Sequence, residues 1–162
     1  MHARAVAQLD SRLYNDAPAL ETAALPDAFN PFRWSGVVET AVDYRLLAID
    51  TRAQLDLDDL HHRYFKPALT PAITSAKATE PFRFFVYFAR FPVWSESPVR
   101  IDERSCTRVE LADLRFGAPG TGAFHAIALE DSGQRVLRSW FTYGSGTDLG
   151  WGDTGAPPGA GR

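Results

Sequence analysis

The sequence predicts a single α+β domain built on an antiparallel sheet of about five strands. Short segments rich in Val, Ile, Thr and aromatic residues alternate with tight turns, which is typical of antiparallel strands. An aromatic-rich segment at 79–92 begins and ends near prolines, which favours a helix packed on one face of the sheet. An amphipathic segment at the N-terminus predicts a further helix.

Composition sets the limits of this prediction. With 162 residues, 45% apolar and 23% charged, the chain has the length and composition of one globular domain. The single cysteine excludes a disulfide framework and multi-cysteine zinc sites. A net charge of −3 and scattered arginines give no support for a nucleic-acid partner. We expect residues 1–143 to form the domain and the Gly/Pro-rich residues 144–162 to be a disordered tail.

The N-terminal half contains two predicted helices and two predicted strands. Residues 3–15 are predicted to be an amphipathic helix with a stripe of Val6, Leu9 and Leu13. Residues 32–40 and 44–51 are predicted to be strands joined as a hairpin, and 54–66 a short helix with acidic residues early and basic residues late. These ranges follow from residue type, spacing and charge order.

The middle of the chain predicts two more helices. Thr70 as N-cap and Pro71 at the first helical position favour a helix over 70–78. In the helix over 79–92, Phe84, Phe88 and Phe91 fall at positions i, i+4 and i+7. This spacing predicts that Phe88 is buried, so its replacement by alanine should cost about 3–5 kcal/mol.

The remaining segments are predicted to be antiparallel strands. Residues 105–116 change phase, which predicts a β-bulge near Ala112-Asp113. Residues 123–130 and 135–143 lie on either side of Asp131-Ser132-Gly133, a strong hairpin turn.

The sequence offers one candidate metal cluster. His61 and His62 follow Asp58 and Asp59, and on a helix Asp58 and His62 would share a face. Adjacent histidines point about 100° apart, and two ligands do not complete a zinc site. We therefore predict a solvated surface here, and no metal or other cofactor.

Candidate nucleophilic sites are equally incomplete. Cys106 and His125 lie on strands that are predicted to be neighbours and form a possible nucleophile–base pair. Ser139, His125 and Asp131 contain the residue types of a triad, but no serine lies in a G-x-S-x-G elbow. The glycine-rich residues 117–122 lack a lysine and precede a strand, whereas a phosphate-binding loop opens a helix. The sequence therefore presents no complete active site.

A carboxylate within an apolar strand is a candidate for ligand contact. Glu39 lies in the apolar strand GVVET, and alternation places it on the face of Val37 and Ser35. Arg45 in the facing strand is its expected cross-strand partner. If the domain binds a small molecule, we expect a cleft between the sheet and the aromatic helix, with Arg33, Trp34 and Glu39 near its mouth.

Three short motifs resemble a known family. They are the string NPFRWSGVVET at 30–40 followed by Tyr44, the string ARFP at 89–92, and the strand–DSG–strand pattern around 131–133. Together they resemble the C-terminal soluble part of the membrane-bound metal-dependent hydrolases of the YdjM type, over residues 5–143.

The resemblance implies an accessory domain associated with a membrane, and a partner formed by the membrane-helix portion that carries the family's His and Asp ligands. No membrane span or signal peptide is visible in this chain, and none of those ligands is matched. Two interpretations stay open: a fragment of a longer membrane protein, or a free-standing relative of the accessory domain. A free-standing module that binds a small ligand or a partner is the alternative function.

Overall fold

The computed structural model describes residues 1–57, 60–121 and 123–143, with the backbone alone for residues 60 and 61. The described residues form an α+β structure in which every sheet is antiparallel. The helices are α1 His2–Asp10, α2 Pro71–Lys77 and α3 Glu80–Phe88. The strands are β1 Leu13–Tyr14, β2 Ala17–Pro18, β3 Glu21–Pro26, β4 Arg33–Glu39, β5 Asp43–Asp50, β6 Leu60–Phe65, β7 Pro92–Ile101, β8 Arg104–Asp113, β9 Phe124–Glu130 and β10 Val136–Tyr143.

These strands form two four-stranded meanders and a small ribbon, not one sheet of about five strands. The first sheet has the order β3-β4-β5-β6 and the second has the order β10-β9-β8-β7. Helix α1 packs on β3 and β4, whereas α2 and α3 pack on the second sheet. The order of helix followed by four-stranded meander thus occurs twice, although no repeat is visible in the sequence.

Three buried apolar clusters hold these layers together. One lies between α1 and the first sheet, and another between α2, α3 and the second sheet. The third joins the two sheets, since Val37 and Tyr44 of the first sheet pack with Phe91, Val93 and Leu114. Burial of these side chains is the main stabilising term of the fold.

The N-terminal helix is shorter than the predicted 3–15. It buries Ala5 and Leu9 and ends at Asp10, after which the chain forms the ribbon β1–β2. The two residues between these strands, Asn15 and Asp16, both have positive φ angles (53° and 62°). Asn and Asp tolerate this conformation better than most residues, and it matches the tight hairpin turn that ends the helical path.

Four predictions about local structure are confirmed. Strands β4 and β5 form the expected hairpin, as do β9 and β10 around the DSG turn. Helix α2 begins where predicted, because the Thr70 side chain accepts a hydrogen bond from the Ile73 N–H at 3.1 Å. Helix α3 falls within 79–92, with Pro81 in its first turn.

Of the predicted stripe Phe84, Phe88 and Phe91, only Phe91, which follows α3, is fully buried, and α3 packs through a different face. Phe82 and Phe85 are fully buried against the second sheet, whereas Phe84 is 57% exposed and Phe88 39% exposed. Because phenylalanines occur on both faces of this helix, spacing alone could not determine which face packs. The predicted loss of stability for Phe88→Ala is therefore wrong, and we expect a loss of that size for Phe85→Ala instead.

Two further predictions are wrong. Residues 60–65 of the predicted helix 54–66 form the edge strand β6, because pairing with β5 supplies backbone hydrogen bonds that an isolated short helix could not match. Strand β8 has no bulge at Ala112-Asp113, since its pairing with β7 is continuous from Arg104 to Asp113. The phase change in the sequence arises because the chain leaves the sheet and turns after Asp113.

Candidate functional site

The predicted ligand residues lie at the two ends of one strand. Arg33 and Trp34 line a cavity of about 490 Å³ at the start of β4, together with Asp27, Asp50 and residues 53–56; we call it the Arg33–Trp34 cavity. Glu39 lies six residues further along β4, about 20 Å away at ~3.3 Å per residue. The aromatic helix α3 packs on the other sheet, so the predicted cleft between it and these residues does not form.

The partners of Glu39 and Arg45 also differ from the prediction. Glu39 forms an ion pair with Lys66, at 2.5 Å between Oε1 and Nζ, rather than with Arg45. Arg45 instead lies beside the buried Asp43, with 3.3 Å between its Nε and Oδ1. Arg63 forms a further ion pair with Asp43, and Thr40 donates to it at 2.5 Å. In the register of β4 against β5, Glu39 faces Tyr44 and not Arg45. Arg45 and Asp43 are two residues apart on β5, so their side chains lie on the same face of the sheet.

Two carboxylates that line the Arg33–Trp34 cavity, Asp27 and Asp50, already accept hydrogen bonds from residues nearby in the chain. Asp27 accepts hydrogen bonds from the backbone of Phe29 and Asn30, each at 2.9 Å. Hydrogen bonds from the Arg52 side chain and backbone lower the pKa of Asp50 to about 2. The volume suits a small ligand, since binding cavities commonly measure about 300–1,000 Å³.

A buried charge cluster lies on the face of the second sheet away from the helices. His125 and Glu110 are both buried, with 2.6 Å between Nδ1 and Oε1, and Arg108 forms an ion pair with the other carboxylate oxygen. The Gly120 N–H donates to Glu110 at 2.7 Å. Burial favours a raised pKa for Glu110, but the hydrogen bonds from His125 and Gly120 and the Arg108 charge outweigh it and lower the pKa. The cluster therefore ties the glycine-rich loop to the sheet.

A second buried carboxylate fixes the end of α3. Asp113 accepts hydrogen bonds from the Arg90 backbone at 2.9 Å and from the Arg115 side chain at 2.7 Å. Arg115 also donates to the carbonyl oxygen of Phe88 at 2.9 Å. Burial acts to raise the pKa of Asp113, but these hydrogen bonds lower it on balance. The C-terminal turn of α3 is thereby held against the strand end.

Glu130 is the exception among the buried carboxylates. It is fully buried on the same face of β9 as Ala126 and Ala128, and neither of its oxygens has a hydrogen-bond partner in the described part of the chain. Burial raises its pKa from 4.5 to about 7, and the charges of Glu96 and Asp131 add to the effect. Alternation along AIALE groups Glu130 with Ala126 and Ala128, but both faces of β9 are apolar, so the sequence did not show which side of the sheet would bury the carboxyl.

This carboxyl predicts a specific pH dependence of stability. Since the folded state keeps the proton of Glu130 up to about pH 7 and the unfolded chain releases it near 4.5, its contribution is complete below pH 4.5 and is lost as the pH rises to 7. The difference between the two pKa values corresponds to about 3 kcal/mol in the free energy of unfolding. Glu130→Gln should abolish this loss and be more stable than the parent at pH 8, as measured by urea unfolding. Glu96→Gln, at an exposed neighbouring position, should keep most of it; equal pH profiles for the parent and Glu130→Gln would contradict the assignment.

Several exposed aromatic side chains among the described residues form an aromatic surface. It comprises the exposed side chains Phe88, Phe116 and Tyr143 around the half-buried Phe124, together with the exposed Phe84 and Tyr87 on the same helix as Phe88. Phe88, Phe116 and Tyr143 have ring centroids 5.4, 6.3 and 5.0 Å from that of Phe124. Phe84 and Tyr87 line a depression of about 560 Å³ with Glu80 and Arg83. A contiguous exposed apolar surface is a candidate interaction site.

The other candidate pairs are not brought together. Cys106 and His125 lie on adjacent strands, but Ala112, the partner of His125, is six residues from Cys106, about 20 Å along β8. Asp131 lies the same distance from His125 and accepts hydrogen bonds from the backbone of Gly133 and Arg135. A Cys–His pair or a triad is therefore not formed.

Only part of the predicted metal cluster lies among the described residues. Asp58, Asp59 and the His61 side chain lie outside the described residues, and His62 is exposed on β6. Among the described residues, no group of three or more His, Cys, Asp and Glu side chains is placed to hold a metal ion. The predicted disordered tail, 144–162, also lies outside them.

Comparison with known proteins adds no family. No protein-family model, curated protein or solved structure matches the chain. None of the helices in residues 1–57, 60–121 and 123–143 is long and apolar enough to cross a membrane. The fold and the aromatic surface are therefore the basis for a functional proposal.

Proposed function

We propose that the chain is a non-catalytic accessory domain that docks on an integral membrane protein through its aromatic surface. The observation that carries this proposal is the exposure of Phe84 and Tyr87, 57% and 91%, on a helix whose opposite face is fully buried. Exposing two neighbouring aromatic rings to water is unfavourable unless a partner covers them. The resemblance of the 30–40 motif to membrane-bound hydrolases supports the choice of partner.

The make-up of the surface favours a protein partner. Protein interfaces are enriched in Phe, Tyr and Arg and depleted in Lys. Arg83 borders the depression beside Phe84 and Tyr87, and Arg115 lies over the ring of Phe116 at 5.1 Å. A rigid aromatic ring loses little conformational entropy on binding, so it contributes strongly as an anchor.

The surface is also held in a fixed geometry. Phe85 on the buried face packs against Phe124 and Phe141, with ring centroids 5.1 and 6.5 Å away. The Arg115 bond to Phe88 fixes the end of the helix. A surface fixed before binding binds with a smaller entropy cost than one that must first be ordered.

Photo-crosslinking tests this proposal directly. Benzoylphenylalanine is placed at Tyr87 or, as a matched control, at Phe29, an aromatic residue that is 97% exposed outside the aromatic surface. In cells that express the gene naturally, we expect light to link the Tyr87 position, but not the Phe29 position, to an integral membrane protein identified by mass spectrometry. Adducts of the same kind at both positions, or adducts with lipid alone, would contradict it.

Small-ligand binding at the Arg33–Trp34 cavity is the second candidate function. The observation in its favour is a volume of about 490 Å³ that combines the Trp34 ring with the exposed Arg33. Segments on β4 and β5 form its walls, on the first sheet, whereas the aromatic surface is carried mainly by α3 and the second sheet. The two candidate functions therefore predict ligand-induced changes in different parts of the chain.

A further inference from the structure

Strand β10 is an edge of the second sheet and has eight residues without a proline. It is the terminal strand in the order β10-β9-β8-β7, so its outer side has no neighbouring strand in the part of the chain that the structure describes. The backbone of an edge strand presents N–H and C=O groups that can pair with another strand. Natural proteins usually protect such edges with prolines, charges, short strands or bulges.

The other three edge strands of the two four-stranded sheets either contain a proline or are shorter than β10. Strand β7 contains Pro92 and Pro98, which cannot donate a backbone hydrogen bond. Strand β3 ends at Pro26, and its first residue forms an ion pair with Arg90. Strand β6 has six residues against the eight of β10; like β10, it has a register shift and one arginine, Arg63.

Strand β10 lacks most of these devices. Its sequence VLRSWFTY contains no proline and one charged residue, Arg138. A register shift between Val136 and Arg138 interrupts its first residues, but pairing from Arg138 to Tyr143 is regular. This regular part contains Trp140, Phe141 and Thr142, residue types that favour strands. The edge is therefore suited to adding one more strand.

We propose that β10 pairs antiparallel with β10 of a second copy of this chain, which joins two four-stranded sheets into one sheet of eight strands. The occupant must be an extended strand because the groups to be satisfied are backbone donors and acceptors. Most oligomers of identical chains are two-fold dimers, whose interface must be complementary to itself.

The charge pattern of β10 meets that requirement. In a pairing about a two-fold axis perpendicular to the sheet, facing residues lie on the same face, so one residue of each strand faces its own copy across the axis. Pairings centred on Trp140 or on Phe141 keep most of the regular part in register. In the first, Arg138 faces Thr142 of the second copy; in the second, Arg138 lies beyond the paired residues. Neither places one arginine against another.

In this dimer, the aromatic surfaces of the two copies lie on the same side of the joined sheet. Phe141 and Tyr143 lie on the helix face of the sheet, where their ring centroids are 5.6 and 5.0 Å from that of Phe124. A two-fold axis perpendicular to the sheet keeps α3 of both copies on this face. Both aromatic surfaces would then face the same side, although the dimer itself does not depend on the proposed function.

Cysteine crosslinking of the full chain tests the pairing. Facing residues of antiparallel strands have Cα atoms about 4.5–5.5 Å apart, within the range of a disulfide. Trp140→Cys should give a covalent dimer on mild oxidation if the pairing is centred on Trp140, and Phe141→Cys should do so if it is centred on Phe141, whereas Arg100→Cys, on the opposite edge strand β7, should not in either case. The single native cysteine, Cys106, is buried and is present in all three variants.

The oligomeric state gives a second, independent measurement. Sedimentation equilibrium of the parent chain should give twice the 17.9 kDa mass of one copy. Trp140→Lys, which places like charges at the axis, should weaken the dimer at least tenfold while the circular dichroism spectrum is unchanged. A monomeric parent chain, a dimer that Trp140→Lys leaves intact, or crosslinking from both positions 140 and 141 that is no greater than from position 100 would overturn the proposal.

Discussion

Phe85→Ala is expected to lower the free energy of unfolding by about 3–5 kcal/mol, the range for removing a buried phenylalanine ring. The side chain is fully buried, and its ring lies 5.0 Å from that of Phe88 and 5.1 Å from that of Phe124. Removing it leaves a cavity between α3 and the second sheet that the surrounding residues can fill only in part. Urea unfolding followed by circular dichroism measures the difference.

Tyr87→Ala is the matched control for this prediction. Its ring is 91% exposed on the same helix, so its removal should change the free energy of unfolding by no more than about 0.5 kcal/mol. A large loss for Tyr87→Ala together with a small loss for Phe85→Ala would mean that α3 packs through the other face. The aromatic surface would then not exist as described.

Glu110→Ala is expected to cost about 3–5 kcal/mol, the range for breaking a buried ion pair by removing one partner. The substitution takes the carboxylate away from the buried His125, from Arg108 and from the Gly120 N–H. Glu110→Gln keeps an oxygen acceptor for the Gly120 N–H but not the charge, so it should lie between the parent and Glu110→Ala. Thermal and urea unfolding of the three chains test this order.

The pH dependence of this effect is opposite in sign to that of Glu130. The pKa of Glu110 is lowered in the folded state, so its contribution is present above the pKa of the unfolded chain and is lost as the pH falls through the folded value. The difference between the parent and Glu110→Ala should therefore shrink in acid. A difference that stays constant from neutral to acidic pH would indicate that Glu110 contributes through packing alone.

Local signals predicted those elements whose boundaries are fixed by chemistry within a few residues. Thr70 and Pro71 placed the start of α2, and the DSG turn placed the hairpin of β9 and β10. In each case a side chain or a turn residue directly sets the backbone geometry. Such signals do not depend on which other segments pack nearby.

Elements whose structure depends on segments distant in the chain could not be predicted in this way. Strand β6 exists because β5 offers it a pairing edge, and the order of charges in 54–66 is equally compatible with a helix. The inward face of α3 is selected by the second sheet, since its sequence EPFRFFVYF has phenylalanine on both sides. A single sequence contains the residues of both faces but not the surface that selects between them.

The candidate site shows the same division. Arg33 and Trp34 are neighbours in sequence and line one cavity, whereas Glu39 was grouped with them through the shared strand and lies at its other end. The contact of Glu110 with His125 depends on the register of β8 against β9, which brings together two residues that are 15 positions apart in the chain. Alternation groups Glu130 with Ala126 and Ala128 on one face of β9, but it does not show which layer covers that face.

Hydrogen–deuterium exchange in the presence of membranes from the native cells tests the central claim most directly, because it locates the docking surface within the chain. We expect slower exchange in peptides covering α3 and residues 114–121, no change in peptides covering 30–36 and 48–56, and loss of the protection in Tyr87→Ser. Protection confined to 30–36 and 48–56 would instead support ligand binding at the Arg33–Trp34 cavity. That result, or exchange that membranes leave unchanged everywhere, would contradict docking through the aromatic surface.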